Sequence, residues 1–163
     1  MKKIALAISL FLSSPLAQAA AADLPQQIQG GKSYSDDVMP DAKPSDAGLI
    51  DKTKSASLKY VDNCDQEITP KISPIDLGPS LPNSKIILLP DSVCYGNAGD
   101  MVVILDGNDR TLLRVTGGGV VVLSSQTAGV NNISIIEPGF SAPVWHWIPD
   151  AHSFQHYMDV PLQ

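Results

Sequence analysis

The sequence predicts an all-β domain, an antiparallel meander closed into a small sandwich, a rolled sheet or a blade-like unit. Three observations carry this expectation. Short runs rich in Val and Ile recur at intervals of roughly ten residues beyond Lys85. Turn residues separate them, among them Asp106-Gly107-Asn108-Asp109, Thr116-Gly117-Gly118-Gly119 and the less regular Pro149-Asp150-Ala151. No amphipathic run of helical period exceeds two turns.

The strands follow in order. Expected strands are Lys85 to Leu89, Met101 to Leu105, Thr111 to Val115, Val120 to Ser124, Asn132 to Glu137, Pro143 to Ile148 and Ser153 to Met158, with Tyr60 to Asn63 as an added edge. Both Gly-rich turns are expected to close hairpins, because Gly and Asn tolerate the positive φ of a tight reversal. Met101-Val102-Val103-Ile104-Leu105 and Val120-Val121-Val122-Leu123 are apolar at every position. Strands of that kind are covered on both faces, so these two are expected at the centre. Arg114, Ser134 and His146 interrupt their strands as half-exposed positions do.

The segment before the domain divides in two. Lys2 and Lys3, the apolar stretch Ile4 to Leu12 and the small-x-small triplet Ala17-Gln18-Ala19 form a secretory signal over residues 1–19. Its apolar core is far shorter than the roughly 20 residues that span a bilayer, and no later segment approaches that length. The expected product is a periplasmic or secreted protein, without a membrane span, beginning near Ala20. From there to Ser55 the composition is Asp, Lys, Ser, Gly, Pro and Gln, too poor in apolar residues to offset the entropy of ordering. It reads as a flexible extension, leaving 56–163 as the β domain. Pro70 to Pro90 carries five prolines and reads as an ordered extended connection. Cys64 and Cys94 flank it, and an even cysteine count in an exported chain reads as a disulfide. Closing a loop of about 30 residues contributes roughly 3 to 4 kcal/mol in the chain-entropy model.

Charge narrows the partners. Loss of Lys2 and Lys3 with the leader takes the formal net charge from −6 to −8. Nucleic acid is excluded as a partner, since binding it needs Lys and Arg to displace counterions from phosphates. Anionic lipid is disfavoured by the same excess of acid.

From Cys94 the order is Cys and Gly, a hydrophobic strand, a DG turn, Leu112-Leu113-Arg114-Val115, Val120 to Ser125, Gly129-Val130-Asn131-Asn132-Ile133 and a closing Val144-Trp145-His146-Trp147 with Phe154 and Tyr157. This order resembles FG-GAP-like and VCBS-like β-repeat units of small exported bacterial proteins, over residues 94 to 158. The resemblance implies a β unit and an exported context. Asn132 stands where the repeat has Asp, Trp147 stands where its closing hairpin has Gly, and no D-x-D-x-D-G loop is present.

Candidate functional residues concentrate at the C-terminal end. Trp145 and Trp147 share a face by period two; one is expected in the core, the other with His146, Phe154 and Tyr157 on a contact surface. His146, His152 and His156 fall close together, but H-x5-H-x3-H matches no zinc pattern. With His152 and His156 on one strand face they stand about 13 Å apart, too far for shared coordination. Each is expected to be exposed or hydrogen-bonded, with no metal site. Asp106 to Asp109 reads as a plain turn, lacking the later acidic residue of an EF-type calcium loop. No G-x-S-x-G or H-E-x-x-H is present, a paired cysteine is no nucleophile, and Gly117-Gly118-Gly119 opens no helix to cradle phosphate. No enzyme activity and no cofactor are expected. The expected function is a binding module for a protein or an envelope polymer, with an inhibitor of a basic hydrolase as one form. The alternatives are a subunit of an envelope assembly, and a small hydrolase using His146 or His156 as base.

Overall fold

The computed structural model describes residues 23–46, 48–49, 60–61, 67–90, 96 and 99–162. Residues 1–19, read from the sequence as a secretory signal, and both cysteines of the expected disulfide lie outside them.

Branched runs become strands because their alternate side chains find two opposed apolar layers. β4 (Lys71–Pro74), β5 (Lys85–Pro90), β6 (Asp100–Leu105) and β7 (Thr111–Gly117) form one antiparallel meander in that order. A second antiparallel sheet has the order β1 (Lys32–Ser35), β8 (Gly119–Thr127), β9 (Val130–Ile135), β10 (Ser141–Ile148) and β11 (Ser153–Pro161). β2 (Tyr60–Val61) and β3 (Glu67–Ile68) pair separately. The result is the all-β, sandwich-like unit that the sequence predicts, and the seven strands expected from Lys85 onward are all present.

Three apolar clusters show how the layers stack. Ile86, Leu88, Val102, Ile104 and Leu112 of the four-stranded sheet meet Val120, Val122, Ile133, Ile135, Trp147 and Phe154 of the five-stranded sheet in the central core. The alternate residues Ile87, Leu89, Val103 and Leu105 form a separate cluster on the back of the four-stranded sheet. Val121, Leu123, Val144 and Val160 form a third, on the back of the five-stranded sheet, with Leu24 of the seven-residue helix α1 (Leu24–Gly30) lying on it. β6 and β8 are thus inner strands covered on both faces, which is why they are apolar throughout.

Four features differ from the sequence-based expectation. The segment read as a flexible extension is structured over residues 23–46. It contributes α1, the edge strand β1 paired along Lys32–Ser35 with β8, and a 3-10 turn at Pro44–Asp46. Few apolar groups suffice there: Tyr34 and Met39 enter the central core and Leu24 the outer one. The glycines at 117–119 do not close a hairpin, because β7 and β8 belong to different sheets. They form a corner, where the Gly118 N–H donates to the Ile136 carbonyl and the Ile136 N–H donates to that of Gly119. Gly119 sits at φ +139°, and a Cβ there would run into the Tyr34 carbonyl oxygen. The tight hairpin of this sheet is at Ala128-Gly129, both at positive φ as a type I′ turn requires. Finally, Ser134 is buried, its hydroxyl donating to the Pro143 carbonyl at 3.0 Å.

Candidate functional site

The last hairpin, β10–β11, holds every residue singled out as a contact candidate, and its pairing decides which way each one points. Pairs run Trp147↔Phe154, His146↔Gln155 and Trp145↔His156, then jump to Val144↔Met158. Tyr157 is the extra residue of a β-bulge. A bulge inverts the alternation, so Phe154 lies with the inner cluster while Met158 and Val160 lie with the outer one.

Trp147 and Phe154 therefore belong to the core, not to a contact surface. They are 5% and 3% exposed, with ring centroids 5.5 Å apart in an edge-to-face arrangement. Trp145 is half-buried on the same inner face and meets the His156 ring edge-on at 5.8 Å. Among the described residues its buried indole N–H has no hydrogen-bond acceptor. The two tryptophans do share a face, as period two requires, but that face looks inward.

His146 and Tyr157 point the other way. Their rings stack at 4.9 Å with 24° between planes, and Tyr157 is 56% exposed. They lie on the back of the five-stranded sheet, the face that α1 covers in part. Beyond α1, the same face carries half-buried polar side chains on the neighbouring strands. Thr127 Oγ1 donates to Asn132 Oδ1 at 2.8 Å, and Asn132 Nδ2 donates to Ser125 Oγ at 3.1 Å. From the middle of α1, Gln27 Oε1 accepts the Ser125 N–H at 2.9 Å.

A second cluster sits at the hairpin tip, where the expected plain turn proves to hold a buried carboxylate. Asp106 Oδ1 accepts the backbone N–H groups of Asn108 and Arg110 at 2.8 and 2.9 Å, while Oδ2 accepts Arg110 Nε at 2.8 Å and Nη2 at 2.7 Å. His152 Nε2 lies 3.2 Å from Oδ2 and 2.9 Å from Arg110 Nη2. One ring nitrogen cannot both donate to the carboxylate and accept from the guanidinium, so the tautomer selects one contact. Burial opposes ionisation of Asp106, but the N–H donors of Arg110, His152 and Asn108 outweigh it and hold the carboxyl well below its usual range. A carboxylate so fully hydrogen-bonded is a poor general base. It instead fastens the β6–β7 turn of one sheet to the β10–β11 turn of the other, beside a cleft of about 240 Å³ that also involves Ser80, Pro82 and Asn83. Lys85 and Asp109 pair at 2.7 Å close by.

The histidines, adjacent in sequence, are placed apart. His152 adopts φ +48° in the turn rather than the strand and supports Trp147 edge-on at 5.1 Å. His156 Nε2 lies 2.9 Å from Asp159 Oδ1, and His146 stacks on Tyr157. Among the described residues, no group of three His, Cys, Asp or Glu side chains has metal-holding geometry. No described helix is long and apolar enough to cross a membrane. Comparison with known proteins returns no matching family model, no matching characterised protein and no matching solved structure.

Proposed function

We propose that this chain is an exported binding module of the cell envelope, and that it recognises its partner through the back of the β10–β11 hairpin. The observation that carries this reading is the His146–Tyr157 stack: an aromatic pair, with Tyr157 exposed, on the sheet face that α1 closes in part. An exposed aromatic on a rigid sheet supplies contact area at small entropic cost, which is the property of a recognition anchor. Turnover has weaker support. The His146 ring is engaged by stacking, the His156 ring by Asp159, and Asp106 is too well hydrogen-bonded to take protons. The signal at residues 1–19 and the likeness to exported β-repeat units support the compartment.

The test is retention of envelope components by immobilised wild-type protein beside the variants Tyr157→Ala and His146→Ala. Loss of a retained partner in both variants, with folding unchanged, is the expected outcome. Equal retention by all three proteins would remove the hairpin from recognition. Mass measurement of exported protein, with and without reductant, checks removal of the leader and the Cys64–Cys94 bond together.

A further inference from the structure

Building on the binding reading above, we propose that the part of the outer sheet face running from Ser125 and Asn132 to Tyr157 takes an uncharged glycan. The chain has 28 charged side chains, 11 basic and 17 acidic, yet β8, β9 and β10 contain no Asp, Glu, Lys or Arg at all. Three adjacent strands thus present a surface of formal charge zero within an acidic protein. A charged polymer would find no counter-charge on it and would lose hydration without compensation. An apolar peptide fits poorly too, because the row is built from hydroxyls and amides rather than a contiguous hydrophobic patch.

The geometry suits a sugar chain. Thr127, Asn132 and Ser125 fix one another through their side-chain hydrogen bonds, so their remaining donors and acceptors are pre-oriented. β9 and β10 pair at Val144↔Ser134 and Trp145↔Ile133, and one further step of that register sets Asn132 beside His146. The polar row therefore runs directly into the His146–Tyr157 stack. Hydrogen-bonding groups at strand spacing, ending in an exposed aromatic ring, match the hydroxyl edge and the C–H face of a pyranose.

The experiment titrates the mature, isotopically labelled protein with cellohexaose, maltohexaose and the hexamer of N-acetylglucosamine, and with hexagalacturonate as a charged control. At least one uncharged hexamer is expected to bind with Kd about 1 mM or tighter, shifting the amides of Ser125, Asn132, His146 and Tyr157. Tyr157→Ala is expected to weaken it about tenfold without moving the thermal midpoint, and Asn132→Ala to weaken it as much while lowering the midpoint through loss of its two hydrogen bonds. No shift at these amides with any uncharged hexamer, or tighter binding of hexagalacturonate, overturns the glycan assignment. If that happens while Tyr157→Ala still abolishes retention of an envelope protein, the binding reading stands and only the ligand class falls. If Tyr157→Ala changes neither, both fall.

Discussion

Asp100 offers a quantitative test of the packing. It begins β6, is only 9% exposed, and pairs through its backbone with Pro90 and Gly117. Burial, with a smaller contribution from the charge of Asp36, pushes its carboxyl up to about 6 from an ordinary 3.8. A carboxyl raised by folding is stabilising when protonated. Its contribution is complete below pH 3.8 and is lost as the pH rises through about 6. The difference of roughly two pH units corresponds to about 3 kcal/mol of stability forfeited at pH 7.5, falling to about 0.5 kcal/mol at pH 4. Asp100→Asn keeps the shape and removes the charge. Urea unfolding at pH 4, 5, 6 and 7.5 should find this variant more stable than wild type by about 2 to 3 kcal/mol at pH 7.5, with the gain fading across pH 6 to 4. Asp36→Asn should recover a minor part of the same gain. A wild-type-to-variant difference that does not change with pH, or a less stable Asn variant at pH 7.5, refutes the burial argument.

Trp147→Ala should cost about 3 to 5 kcal/mol in chemical denaturation, as truncation of a core aromatic does, whereas Tyr157→Ala should stay within about 0.5 kcal/mol of wild type. Asp106→Ala should cost about 3 kcal/mol at pH 7, because Arg110 and two backbone N–H groups lose their acceptor. Since folding lowers this carboxyl, that contribution is present above its unfolded pKa and is lost as the pH falls below it, so acid unfolding should steepen below pH 4 in wild type but not in the variant. Gly119→Ala should cost about 2 kcal/mol or more by thermal or urea melting, combining an unfavourable φ with the clash against Tyr34.

Among the strands from Lys85 onward, the inner ones were most legible because they fill a two-sided core, and that requirement writes runs of branched side chains such as Val120 to Leu123. Edge strands face no such requirement. β1 is Lys-Ser-Tyr-Ser and buries Tyr34 alone, while in β4 only Ile72 packs, and partly; both are placed by main-chain pairing that composition does not record. Helix α1 shows only Leu24 and Ile28 one turn apart, too short a pattern to establish a period. The corner at Gly117–Gly119 looks like a hairpin in sequence, because both need glycine; only the sheet membership of β7 and β8 separates them. At the site, period two correctly put Trp145 and Trp147 on one face but could not say that the face is inner. The bulge at Tyr157 sends that ring outward and leaves no compositional trace. The Asp106 cluster joins residues 46 positions apart. Its visible signal was Asp106 followed by Asn108 in a turn, which marks the backbone contact but not Arg110 or His152.

Amide perturbation mapping can show whether recognition uses the outer face of the last hairpin. When labelled mature protein is mixed with the envelope fraction it retains, shifts should concentrate at Ser125, Asn132, His146, Gln155 and Tyr157 and leave β4 and β5 unchanged. Shifts centred on the exposed Phe140 loop or on the Arg110–His152 cleft, with the Tyr157 surroundings silent, would place recognition elsewhere on the protein.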